Sequence, residues 1–136
     1  MILADTSAWV EFDRATGSSA DLRITNLIRD DGPLAVTEPV IMEIMAAARS
    51  KKQETDLRRL LLSFNLIRFD ASIDFDGAVR LYRKCRLEGI TPRGMVDCMI
   101  ASVANRVRAS LLTFDADLIR IARVAQIKID DASLLQ

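Results

Sequence analysis

Four acidic residues each stand alone in apolar sequence. Asp5 is the only charge in residues 1–10 (MILADTSAWV), Glu43 the only one in 39–48 (PVIMEIMAAA) and Asp97 the only one in 95–104 (MVDCMIASVA). Asp115 directly follows the apolar run 111–114. Burying an ionised carboxylate without a partner is costly. Four carboxylates brought together also repel, and some would take up protons. A divalent cation held between them answers both problems. The chain has no histidine, which excludes a Ser–His–Asp triad, His-ligated zinc and any His general acid or base. Hard oxygen ligands without His or Cys select Mg²⁺ or Mn²⁺. Mg²⁺ keeps most of its waters, one of which can be activated as a nucleophile while phosphoryl charge is neutralised. The chemistry indicated is phosphoryl transfer or phosphodiester hydrolysis, with the substrate left open.

Each acid also has a local reading. Asp5 can cap a helix, as can Asp115. Asp97 falls in a first helical turn, where the helix dipole favours negative charge. Glu43 sits mid-helix, where the alternative is a salt bridge to an arginine. Three of the four fall where a strand ends or a helix begins. That rim is where open α/β sheets bind ligands, so their joint occurrence argues for one site.

The elements that must position these acids alternate. The apolar opening reads as a buried strand, followed by a short helix over residues 6–14. Gly17-Ser18-Ser19 is a turn and cap signal before a helix over 19–30. A strand at 34–36 leads through Thr37-Glu38-Pro39 into a helix running to about residue 49. Leu57, Leu60, Leu61 and Phe64 share one helical face. A strand is expected at 66–69, a longer helix from 73 to 89, a loop at 90–94 and a helix at 95–107. On this last helix Val96, Met99, Ile100, Val103 and Val107 form the apolar face. A strand at 110–113, a helix at 115–124 and a strand at 127–129 complete the chain. The alternation predicts an α/β fold, a parallel sheet covered by helices.

The totals set bounds. The chain of 136 residues is expected to form one domain over 1–136. Lys plus Arg equals Asp plus Glu at 19 each, so net charge argues neither for nor against a nucleic-acid partner. The N-terminal apolar run is interrupted by Asp5 and lacks a basic leader, so no signal peptide is expected. No stretch approaches the length of a membrane span. Cys85 and Cys98 belong to no motif and read as buried thiols of a reducing compartment. A cytoplasmic location is expected.

On these residues the sequence resembles the PIN-domain ribonucleases, in particular the VapC-type toxins of toxin–antitoxin pairs. The resemblance covers essentially the whole chain. It is carried by Asp5-Thr6-Ser7 with Trp9-Val10, by Thr37 and Glu43 in TEPVIMEI, by residues 89–101 (GITPRGMVDCMIA), and by residues 111–117 (LLTFDAD). It implies a PIN-like three-layer fold with a central five-stranded parallel sheet. It implies Asp5, Glu43, Asp97 and Asp115 as catalytic acids, with Asp5, Asp97 and Asp115 on the metal. Ser7 and Thr113 would be hydrogen-bond partners and Asp117 an auxiliary. It further implies Mg²⁺-dependent endonucleolytic cleavage of RNA such as transfer or ribosomal RNA, with Mn²⁺ substituting, an antitoxin that blocks the site, and a homodimer. The sequence departs from the family pattern in two places. Leu118 stands where Phe is frequent, and Arg108-Ala109 replaces a Gly-containing turn.

A neutral chain must present its positive charge locally to hold a polyanion. Arg14, Arg49, Lys51, Lys52 and Arg93 are the candidate phosphate contacts. Arg80, Arg83, Lys84 and Arg86 read as a solvated helix face. Trp9 reads as core, or as part of a groove for a partner helix. Other classes fit less well. An aspartyl-phosphate phosphatase wants a second acid two residues after Asp5, where Ser7 stands. A receiver-type module wants an acidic pair near the first strand. The alternative is a degenerate PIN-like module that binds RNA or protein without catalysis.

Overall fold

The computed structural model describes residues 1–133. Strand β1 (Ile2–Ala4) is fully buried and lies between β2 (Leu34–Val36) and β4 (Ser110–Leu112). Ile2 faces Leu34 on one side, and Ala4 faces Leu112 on the other. The short β3 (Asn65–Leu66) adds outside β2, giving the order β3-β2-β1-β4 with every pairing parallel. Uninterrupted apolar strands of this kind are what a sheet covered on both faces requires.

Beyond β4, Ile129 pairs with Leu111 as a single parallel bridge. Leu111 N–H donates to the Lys128 carbonyl at 2.8 Å, and Asp130 N–H to the Leu111 carbonyl at 2.9 Å. The fifth position of the sheet is therefore occupied, but the strand expected at 127–129 is one bridge long. Its ends are held elsewhere. Ile127 N–H bonds the Ala122 carbonyl at 2.9 Å, and the Asp130 carboxylate pairs with Arg23 at 3.1 Å. The strand expected at 66–69 is cut short for a similar reason. Phe69 N–H turns to the Glu38 carboxylate at 2.7 Å rather than to a neighbouring strand.

Among the described residues seven helices connect these strands: α1 (Thr6–Asp13), α2 (Ser19–Arg29), α3 (Glu38–Ala47), α4 (Lys51–Leu61), α5 (Asp74–Leu87), α6 (Met95–Val107) and α7 (Ala116–Val124). Helix α3 ends two residues before Arg49, because Ala48 is extended and Ser50 caps α4 through the Gln53 amide at 3.0 Å. Helix α6 is buried more broadly than one apolar face. Cys98, Ile100, Ala101, Ser102, Val103 and Ala104 are all buried, whereas Val107 is 37% exposed. Small residues let α5 and α6 approach closely. A Cβ added at Gly77 would lie 2.3 Å from the Ser102 hydroxyl oxygen. That hydroxyl and the Arg106 guanidinium both donate to the fully buried Asp74 carboxylate, pinning α5 to α6. Both cysteines are buried free thiols.

Candidate active site

The chain leaves β1 towards β2 and β3 on one side and later fills β4 and the Ile129 bridge on the other. The carboxyl ends of β1 and β4 thus flank the topological switch point, where such sheets form a crevice. Asp5 stands at the end of β1. Its N–H extends the ladder to the Leu112 carbonyl at 3.0 Å, and its Oδ1 caps α1 by accepting from Ala8 N–H at 2.9 Å. The capping reading holds, and the cap stands at the rim of the sheet.

A hydroxyl network holds Asp5 from both strands. Ser7 donates to its Oδ1 at 2.8 Å, and Thr113 donates to its Oδ2 at 2.8 Å. The same oxygens then accept. Ser7 Oγ takes the Phe114 N–H at 2.8 Å, and Thr113 Oγ1 takes the Asp115 N–H at 3.1 Å. Asp115 caps α7 by accepting from Asp117 N–H at 3.0 Å. Glu43, half-buried on α3, accepts the Thr6 hydroxyl. Its expected alternative partner, an arginine, is not what it meets.

Asp97 lies in the first turn of α6, half-buried. Burial, then the charges of Asp115, Asp5, Glu43 and Asp117, push its carboxyl up to about 7. Asp5 is pushed up to about 6, chiefly by burial. Donation from the Ala8 amide, Ser7 and Thr113 opposes that rise, and the Asp115 charge adds to it. Asp97 is thus close enough to the other three acids to feel their charge. Among the described residues, however, no three converge on one point as they stand. Asp5 is engaged by two hydroxyls, Glu43 by Thr6, and Asp115 by Arg93 at 2.7 Å.

The donor set fits a divalent cation. It consists of hard carboxylate oxygens without competing nitrogen or sulfur ligands. Two of its members are pushed up first by burial and then by neighbouring carboxylates, a cost that a bound cation relieves. Asp5, Asp97 and Asp115 are the residues that would hold the ion, after the side chains leave some of their present partners.

The basic residues separate into groups. Arg93 is drawn onto the acids. Its side chain reaches Asp115 and lies 3.6 Å from Asp117, and its N–H donates to Asp117 at 3.2 Å. Lys51 and Lys52 pair along α4 with Glu54 at 3.9 Å and Asp56 at 2.9 Å. Arg14 and Arg49 border a groove of about 420 Å³ between α1, α3 and α4, together with Trp9, Phe12, Leu57 and Leu60. Thr6, the partner of Glu43, also lines it, so the groove reaches one hydrogen bond away from that acid. Trp9 is buried against Phe12 and Phe64, yet its indole N–H has no partner among the described residues.

Three contributors escape sequence reasoning. Thr6 was legible only as a neighbour of Asp5. Arg120 lies 3.5 Å from Asp117, one helical turn on. Ser133 accepts Thr113 N–H at 3.1 Å and donates to the Leu111 carbonyl at 3.2 Å, and no motif marks it.

Comparison with known proteins follows the same lines. The PIN domain family model matches residues 2–124. The chain is 40% identical over 129 residues to ribonuclease VapC11 of Mycobacterium tuberculosis, covering 94% of this chain and 96% of that protein. It is 36% identical over 116 residues to ribonuclease VapC32 of the same organism, covering 85% of each. Its fold is similar to a chain in the crystal structure of VapBC2 from Rickettsia felis bound to a DNA fragment from their promoter. The TM-score is 0.72 at 21% identity, over 96% of this chain and 98% of that one.

Proposed function

The chain belongs to the VapC-type branch of the PIN-domain family, and from that premise we propose that it is a metal-dependent endoribonuclease toxin of a toxin–antitoxin pair. What supports this reading is that Asp97 feels the charges of Asp5, Glu43 and Asp115, which come from three other stretches of sequence, beside the switch point of a parallel sheet. The reaction is hydrolysis of an RNA phosphodiester bond. Water adds to phosphorus, the bond to one ribose oxygen breaks, and that oxygen leaves with a proton.

Asp5, Asp97 and Asp115 would hold the cation, Mg²⁺ with Mn²⁺ as a substitute. A bound divalent ion supplies water activation and neutralises phosphoryl charge. The protein's own groups do the rest. Ser7 and Thr113 fix both oxygens of Asp5. Thr6 fixes Glu43 through Oε1. Its Oε2 is then left to take the proton of the attacking water. Asp117 acts as an auxiliary by anchoring the loop before α6 through Arg93 N–H.

RNA is held electrostatically, with Arg14 and Arg49 along the groove and Lys51 and Lys52 on the adjoining end of α4. The same groove suits an antitoxin helix. It is lined mainly by apolar side chains, Trp9, Phe12, Leu57 and Leu60 among them, with Arg14, Arg49 and Asp13 as its charged members. An antitoxin seated there would cover the approach to Glu43. A single domain acting as a homodimer in the cytoplasm, on transfer or ribosomal RNA, completes the reading. Among the described residues no helix is long and apolar enough to cross a membrane.

The test is incubation of total cellular RNA with the purified, partner-free chain, followed by mapping of new 5′ ends. A few discrete ends that require Mg²⁺ and vanish with EDTA support the reading. Intact RNA under all metal conditions, with binding retained, would leave the non-catalytic module.

A further inference from the structure

Arg93 is the cation that, among the described residues, the fold places against Asp115. Its terminal nitrogen lies 2.7 Å from Asp115 Oδ1, and its Nε lies 3.6 Å from Asp117 Oδ2. The side chain is otherwise 70% exposed, so apolar packing does not dictate this pose. Its position is fixed at the root instead, because Arg93 N–H donates to Asp117 Oδ2 at 3.2 Å. Asp115 Oδ1 already accepts the Asp117 N–H at 3.0 Å, so this oxygen has two donors before any ion approaches.

We propose that Arg93 is a tethered counter-cation that competes with the divalent ion for Asp115, so that metal binding requires its guanidinium to swing away from the acids. This rests on the metal-site reading above. Two positive charges cannot both sit against one carboxylate oxygen without repulsion, and Asp115 is the member of the set that Arg93 holds. Once displaced, the guanidinium remains beside the cluster because the backbone bond to Asp117 does not depend on the side chain. Arg93 is then a charge that changes partner as the metal enters, rather than a permanent phosphate contact.

The test is titration of the intact protein with Mn²⁺ alone, followed by electron paramagnetic resonance of the free ion, for the natural chain, Arg93→Gln, Arg93→Lys and Asp97→Asn. Arg93→Gln keeps the backbone anchor and removes the charge. Removing an exposed ion pair of this kind should tighten Mn²⁺ binding by roughly two- to fivefold. Arg93→Lys, which keeps the charge, should bind closer to the natural chain than to Arg93→Gln. Unchanged or weaker binding in Arg93→Gln would overturn the proposal. Asp97→Asn separates the two ideas. If it binds Mn²⁺ as well as the natural chain does, the metal-site reading itself fails, whatever Arg93 does.

Discussion

Thr113 donates its hydroxyl to Asp5 Oδ2 at 2.8 Å, joining residues 108 apart in sequence across the β1–β4 junction. Thr113 Oγ1 in turn accepts the Asp115 N–H, so one small side chain ties two of the candidate metal ligands together. Thr113 is completely buried. Thr113→Val keeps the shape but leaves the Asp115 amide and one Asp5 oxygen without this partner. The expected cost is about 1–3 kcal/mol of stability. RNA cleavage should fall with it even well below the melting temperature. Denaturant unfolding and initial cleavage rates at 25 °C check both; a destabilised variant with undiminished cleavage would remove Thr113 from the site.

The raised carboxyls give a pH dependence with a definite sign. Asp5 titrates at about 6 and Asp97 at about 7 in the fold, against about 3.9 in an unfolded chain. Between these values the folded chain holds more protons than the unfolded one, so stability falls as pH rises from about 4 to 7. In EDTA the melting temperature should drop across that window, and Mg²⁺ should flatten the drop. Asp97→Asn removes one of the repelling charges and should melt higher than the natural chain at pH 7.5. A melting temperature that climbs over the same window in EDTA would contradict the electrostatic account.

Gly77 sits on α5 against Ser102 of α6. Its missing Cβ makes room for the Ser102 hydroxyl, which donates to buried Asp74 at 3.1 Å. Burial pushes the Asp74 carboxyl up, but Arg106, the Asp70 amide and Ser102 outweigh it and hold the group below its ordinary range. Gly77→Ala should therefore cost about 1–3 kcal/mol, as overpacking does. Chemical denaturation measures it. Because α6 carries Asp97, metal affinity is a useful second readout.

Arg108 ends α6 in the left-handed region at φ 57°, a conformation that glycine adopts without strain. Arg108→Gly should stabilise the fold by about 0.5–1 kcal/mol, the relieved strain exceeding the added unfolded-state freedom. A lower melting temperature in that variant would show that the Arg108 side chain contributes more than its backbone costs.

Much of this was legible in sequence because it depends on local signals. An acid isolated in an apolar run marks a strand end or a buried helix turn, and Asp5, Asp97 and Asp115 all lie at such places. Strand and helix order followed from the alternation of apolar period and turn residues. What could not be read depends on pairing across the chain. The lengths of the strands around residues 65–69 and 127–130 are set by Glu38 and Arg23, side chains far away in sequence. Thr6 on Glu43 and Ser133 on Thr113 are likewise tertiary choices. Arg93 was recognisable as a basic residue near the site, but only the fold shows it resting on Asp115 and Asp117.

The most direct test of the central claim is RNA cleavage by the natural chain and by Asp97→Asn, side by side, in Mg²⁺ and in EDTA. The acid-cluster account predicts discrete cleavage by the natural chain in Mg²⁺ only. It predicts none by Asp97→Asn, even though that variant is folded and melts at least as high. Cleavage by Asp97→Asn at the natural rate, or cleavage that persists in EDTA, would contradict it.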